Sequence, residues 1–182
     1  MKKTFITANE LLEDSFRLAV TIFQSGFRPD LIAGVWRGGT PVAMAIHEYF
    51  EYKGITIDHV AIRAASYTGI NERNKTVIVT GLDYIYEHSG PEDKLLVIDD
   101  IFDTGNSFKA ILQSLESRYG SEVYQRVRIA CPWYKPDNNQ TSLVPDYYLH
   151  ETDNWLVFPH ELTGLTEDEI RQGKPAISSI II

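Results

Sequence analysis

The stretch Lys94–Leu112 reads KLLVIDDIFDTGNSFKAIL. An apolar run, Leu95-Leu96-Val97-Ile98, ends in Asp99-Asp100, and Ile101, Phe102 and a further acid, Asp103, precede a small polar turn, Thr104-Gly105-Asn106-Ser107. The run has the length and β-branched content of a buried strand, and Phe108–Tyr119, closed by Gly120, reads as a helix. A strand passing through a polar turn into a helix is the repeating unit of a parallel α/β sheet, in which ligands sit beyond the carboxyl ends of the strands. The turn offers backbone N–H groups and hydroxyls at a helix start, which suits a phosphate. Carboxylates repel an anion, so the stretch makes chemical sense only if its ligand also carries hydroxyls and a divalent cation such as Mg²⁺, both of which carboxylates hold.

A plainer account makes the acids helix caps facing solvent. Asp103 or Thr104 alone would serve as a cap, and the stretch contains more than a cap needs. A Walker loop requires Gly-Lys-Ser/Thr, which is absent, and no Gly-x-Gly-x-x-Gly follows a strand. An aspartyl-phosphate phosphatase would space its strand-end acids differently.

Working outward, the pattern repeats. Thr7-Ala8-Asn9-Glu10 resembles a capping box opening a helix, with Leu11, Leu12, Phe16, Ala19, Ile22 and Phe23 on its apolar side and Gly26 as its stop. Leu31–Trp36 is an apolar strand, and Thr40-Pro41 opens a helix that runs to Gly54. His59–Ala65 and Thr76–Thr80 read as strands flanking the polar segment Ser66–Lys75. Val127–Cys131 and Tyr147–Leu149 read as later strands. Thr166-Glu167-Asp168-Glu169 is a second capping box, followed by a loose apolar end. The expected fold class is α/β, a mainly parallel central sheet flanked by helices, in one domain over residues 1–182.

Bulk properties narrow the partners. The chain has 182 residues and a formal charge of −8, which disfavours nucleic-acid binding through bulk positive charge. Its single cysteine, Cys131, excludes an internal disulfide framework and a Cys-rich zinc site. MKKTFITANELLED is neither a signal peptide nor a membrane anchor, and no window approaches the ~18 apolar residues of a membrane span. A cytoplasmic protein is expected. His47, His59, His88 and His150 show no metal-ligand spacing. His47 reads as packing or surface, and Cys131 as a small buried residue.

LLVIDDIFDTGNS resembles the phosphoribosyl-pyrophosphate (PRPP) signature of the type I phosphoribosyltransferases. The resemblance implies that Asp99 and Asp100 bind the ribose hydroxyls, directly or through Mg²⁺, and that Asp103, Thr104, Gly105, Asn106 and Ser107 cradle the 5′-phosphate. GVWRGG is similar to the family's pyrophosphate loop, which assigns Trp36, Arg37, Gly38 and Gly39 to pyrophosphate, often through an unusual peptide geometry; taken alone it is also an ordinary strand-to-helix turn. Ser66-Tyr67 resembles the pair on the mobile lid of the purine-using branch, where water exclusion protects an oxocarbenium-like transition state. Arg63, Arg73 and Lys75 are cationic candidates near that lid.

The segment from Cys131 to Glu161 resembles bacterial and archaeal xanthine–guanine and hypoxanthine phosphoribosyltransferases. On that resemblance Lys135 donates to the purine O6, Trp155 stacks on the base, and the backbone at Trp155-Leu156 meets its C2 edge, in a hood built mainly from residues 133–165 with part of the N-terminus. Read singly, Trp155 could equally be a core residue and Lys135 a solvated one. Asp103 is also implied to face N7 of the base. His160 stands where related sequences often carry an aromatic residue, so base selectivity stays open. The implied reaction converts a 6-oxopurine (hypoxanthine, guanine or xanthine) and PRPP into a nucleoside 5′-monophosphate and pyrophosphate, with Asp103, Lys135 and Arg37 as catalytic groups. The family suggests a homodimer or homotetramer. The alternative is a regulatory protein that senses PRPP or nucleotides on the same fold without turnover.

Overall fold

The structure, a computed structural model, describes residues 3–67 and 76–182, with side chains described at 3–65 and 77–182. Strand β1 (Lys3–Phe5) precedes helix α1 (Ala8–Gln24), which opens on the expected capping box: Thr7 Oγ1 accepts the Glu10 N–H at 3.1 Å and Glu10 Oε2 accepts the Thr7 N–H at 2.7 Å. Its buried face carries Leu11, Leu18, Ala19 and Ile22. Leu12 and Phe16, expected on that face, are exposed, because at about 100° per residue they sit a quarter-turn or more from Leu11.

Next come β2 (Leu31–Trp36), α2 (Gly39–Tyr52), β3 (Asp58–Tyr67), β4 (Thr76–Thr80), α3 (Asp83–His88) and β5 (Leu95–Ile98). The chain continues through β6 (Ile101–Phe102), α4 (Asn106–Tyr119), α5 (Val123–Arg126), β7 (Val127–Ala130) and β8 (Trp133–Tyr134). It ends with β9 (His150–Glu151), β10 (Trp155–Val157), α6 (Glu167–Gly173) and α7 (Pro175–Ile181). The central sheet has the order β4-β3-β2-β5-β7, parallel throughout except for β4, which runs antiparallel to β3. Two small sheets, β1-β10 and β6-β8-β9, stand apart from it. The α/β class expected from the strand–helix alternation is the class observed.

The continuous apolar runs of β2 and β5 follow from burial on both faces. Ile32, Leu96 and Ile98 pack with Leu18, Ile22, Ile46 and Phe50 of α1 and α2. Their sequence neighbours Leu31, Ala33, Val35, Leu95 and Val97 pack with Ile85 of α3 and with Phe108, Ile111 and Leu115 of α4.

Further sequence expectations change, and β3 runs on through Ser66 and Tyr67 of the expected polar segment. The expected strand Tyr147–Leu149 is a single bridge from Tyr147 to Ala130, and the strand lies at His150–Glu151. Pro132 has no N–H to continue the β7 ladder, and its carbonyl instead accepts the N–H groups of Leu149 and His150 at 3.1 and 3.0 Å. The expected loose apolar end is α7, preceded by α6 with its own capping box, in which Thr166 Oγ1 accepts from the Glu169 N–H at 3.2 Å.

Candidate active site

The parallel register sets β2 and β5 side by side, with Gly34 level with Ile98, so the loops leaving both strands emerge together. The loop after β2 holds Trp36, Arg37, Gly38 and Gly39, with a cis peptide bond between Trp36 and Arg37. Thr40 folds it back, its Oγ1 donating to the Arg37 carbonyl at 2.7 Å. Trp36 and Arg37 are exposed, whereas Gly38 and Gly39 are buried. The glycines are required by proximity to the second loop. A Cβ on Gly38 would collide with the Asp100 carboxylate, and one on Gly39 with the Ile98 carbonyl oxygen and the Asp99 backbone.

Asp100 is buried and its N–H donates to Asp99 Oδ1 at 3.0 Å. Burial, reinforced by the Asp100 charge, pushes the Asp99 carboxyl well above the ordinary carboxylate range, opposed by the backbone N–H groups of Asp100 and Gly39. His160 Nε2 lies 3.4 Å from Asp100 Oδ2, and its ring stacks on Phe158 with centroids 5.8 Å apart. Paired carboxylates are hard oxygen donors of the kind that fit a divalent metal ion. Among the described residues no cluster of three or more His, Cys, Asp or Glu could hold a metal alone. A metal on this pair would therefore need oxygens from its ligand, the usual arrangement for Mg²⁺ with a phosphorylated substrate.

After β6 the chain turns through Asp103-Thr104-Gly105 into α4. Gly105 is left-handed at φ 77°, and a Cβ there would meet Thr141 Oγ1 at 2.6 Å and the Phe102 ring at 2.8 Å. Thr104 Oγ1 accepts from the Asn106 N–H at 3.4 Å, and the Thr104 carbonyl accepts from the Gln140 N–H at 2.9 Å. Asn106 Nδ2 donates to Gln140 Oε1 at 3.1 Å. This pinned turn presents the leading N–H groups of a 14-residue helix, which have no partner within the helix itself, and Ser107 stands in its first turn.

Lys135, just beyond β8, is buried, with Nζ 3.6 Å from Asp103 Oδ2. Asn138 Nδ2 donates to Asp103 Oδ1 at 2.5 Å. Lys135 is thus an enclosed ammonium rather than a solvated one. Trp155 opens β10 and is 53% exposed, so it is no core tryptophan; Leu156 beside it is buried. An open cleft of about 180 Å³ is lined by Asp100, Ile101, Asp103, Lys135, Trp155, Leu156, Phe158 and Glu161. It brings five of the sequence candidates together. Arg37 and the phosphate turn lie outside its lining.

Ser66 and Tyr67 end β3, their side chains lying outside the described residues, as do Arg73 and Lys75. Arg63 is exposed, paired in register with Trp36. His47 Nε2 lies 3.0 Å from the Ile57 carbonyl oxygen, and Cys131 is fully buried. No described helix is long and apolar enough to cross a membrane. Sequence reasoning missed Ile101, Phe158 and Asn138 and gave Glu161 no role. Glu161 Oε2 accepts the Phe158 N–H at 2.9 Å, which ties those two residues together.

Comparison with protein families matches residues 6–164 to the phosphoribosyl transferase domain. Among solved structures, a purine phosphoribosyltransferase from Pyrococcus horikoshii is 26% identical, with a TM-score of 0.70 over 91% of this chain and 98% of that one. A xanthine-guanine-hypoxanthine phosphoribosyltransferase from Helicobacter pylori shares the fold at 21% identity, TM-score 0.68, over 86% and 92%. So does a hypothetical protein from Neisseria gonorrhoeae with bound ppGpp, at 21% identity, TM-score 0.72, over 96% and 97%. Comparison with curated protein sequences returns no match.

Proposed function

Because the chain belongs to the phosphoribosyl transferase domain family, we propose that it transfers the 5-phosphoribosyl group of PRPP to a 6-oxopurine, releasing pyrophosphate. The observation that carries this reading is the cleft in which buried Lys135 faces Asp103 beside exposed Trp155, with Asp100 of the acid pair in its lining. A flat base can lie against the indole with its O6 towards the Lys135 ammonium and N7 towards Asp103.

The bond from ribose C1 to the pyrophosphate oxygen breaks as C1 bonds to the purine nitrogen. Negative charge leaves with pyrophosphate, and the Gly38 N–H and the Arg37 guanidinium supply donors for it, the Gly39 N–H being turned to Asp99. The base must lose a proton. Asn138 occupies Oδ1 of Asp103, and Oδ2 on the Lys135 side is the oxygen that can accept hydrogen from N7. Lys135 stabilises charge on O6 as that proton moves. Thr104–Ser107 hold the 5′-phosphate at the α4 start. Asp99 and Asp100 would hold the ribose hydroxyls and Mg²⁺, which when bound would neutralise phosphate charge. Strands β1 and β10, with residues 133–165, act as the hood over the base.

The test is pyrophosphate release from PRPP and Mg²⁺ with hypoxanthine, guanine, xanthine, adenine, orotate or uracil supplied separately. Turnover with one or more of the first three is expected, and adenine should fail because its amino group offers no acceptor to Lys135. No turnover with any base, alongside tight PRPP or nucleotide binding, would replace the enzyme with a sensor.

A further inference from the structure

The family match ends at residue 164, and residues 167–181 form α6 and α7 beyond it. Between these helices lies Lys174, which with Lys135 makes the only two buried lysines among the described residues. Its Nζ donates to the carbonyl oxygens of Phe158 at 2.5 Å and Pro159 at 3.0 Å. The same Phe158 carbonyl accepts the Glu161 N–H at 3.0 Å, while Glu161 Oε2 accepts the Phe158 N–H at 2.9 Å. Residues 158–161 are thus a closed turn with the lysine at its back. Phe158 and Glu161 from that turn line the cleft, directly after the Trp155–Leu156 edge.

The lysine is itself fixed. The α6 capping box aims Glu169 at Lys3 of β1, 2.7 Å away. Gly173 packs so closely on Phe5 that any Cβ there would strike the ring. Since β1 pairs with β10, the helices reach the strand that edges the cleft both through β1 and through the turn that follows β10. Packing alone does not call for an ammonium at this position. Burial draws Lys174 below the ordinary ammonium range, opposed by the Glu161 charge, and a methionine would fill the same volume without that penalty. What the ammonium adds is two directed hydrogen bonds, which tie the Phe158 and Pro159 carbonyls to the C-terminal helix pair while Phe158 lines the cleft.

We infer that Lys174 is a positioning residue for the purine base, through which the C-terminal helix pair sets the wall of the base cleft. The inference rests on the transferase reading above. Lys174→Met and Lys174→Arg would be compared with wild type in two assays: steady-state kinetics with the preferred base, and calorimetric titration with a purine nucleoside 5′-monophosphate and, separately, PRPP.

Lys174→Met should raise KM for the base and weaken nucleotide binding about 10-fold or more, with PRPP affinity changed less than about 2-fold. Lys174→Arg, which retains charge and donors, should recover part of the loss. Equal losses for base and PRPP, or no loss at all, would overturn the positioning role. If Lys174→Met does not fold, as judged by thermal melting, Lys174→Gln, which is neutral and too short to reach both carbonyls, takes its place: a base-selective rise in KM supports the role and wild-type values overturn it. A wild type that binds nucleotide but turns over no base removes the transferase reading while the calorimetry still tests Lys174. A wild type that binds neither ligand overturns both.

Discussion

At Asp103 and Lys135, two opposite charges 3.6 Å apart sit in one cleft with different exposure, 42% and 9% of the side chain. The acid is open to the cleft, and the lysine is enclosed enough for its charge to act at short range. Their replacements should therefore fail differently. Asp103→Asn keeps the shape and removes the proposed proton acceptor, so kcat should fall by about 10²-fold or more with PRPP affinity nearly unchanged. Single-turnover kinetics would read this, and unaltered turnover would remove Asp103 from the chemistry. Lys135→Ala should raise KM for the base much more than KM for PRPP, with kcat/KM for the base lower by about 10²-fold. Equal losses on both substrates would detach Lys135 from O6.

Both residues could be picked out in the sequence by their place in a motif, yet their proximity could not. It depends on β6 and β8 pairing in parallel, Phe102 opposite Tyr134, two strands of two residues each. Elements that short carry no periodicity. His160 shows the same limit, since nothing in its sequence position says that it reaches Asp100.

Among the elements, the long ones were legible. Leu31–Trp36 and Leu95–Ile98 are apolar because both faces are covered, and α1 and α4 announce themselves by a capping box and by a glycine stop. Helices α3 and α5, of six and four residues, were not, because tertiary packing of Ile85 and Val123 rather than helix propensity holds them. The expected strand at Tyr147–Leu149 failed through Pro132, whose effect lies on a partner segment and not in the apolar run itself. The loop between β2 and α2 gives a test at this scale. Gly38→Ala would force its methyl into the Asp100 carboxylate. The expected cost is about 1–3 kcal/mol of stability, read by urea unfolding, together with weaker PRPP binding in a direct titration. A variant with native PRPP affinity would show that Asp100 can turn aside without loss.

Over the whole molecule, the sheet divides the core in two, and Cys131 lies fully buried beneath the site in the cluster shared by β7 and α4. Burial pushes its thiol well above the ordinary range, with the Asp99 and Asp100 charges adding to the effect and the Phe102 backbone opposing it. As the only cysteine in the chain, it reports global opening. Its labelling by a thiol reagent should be at least ~10³-fold slower in the native protein than in denaturant. Rapid stoichiometric labelling of the native state would mean that this half of the core opens locally.

The contact of Gly38 and Gly39 with Asp100 and Asp99 also bears on exchange between relatives. The two loops are about sixty positions apart in the chain, yet the floor of one is the wall of the other. A chimera spliced anywhere between β2 and β5 would set a loop from one parent against acids from the other. Such hybrids should lose sugar-phosphate binding even when each half is native and the sheet assembles. Crossovers before Leu31 or after Ser107 keep both loops in one parent and should spare this contact.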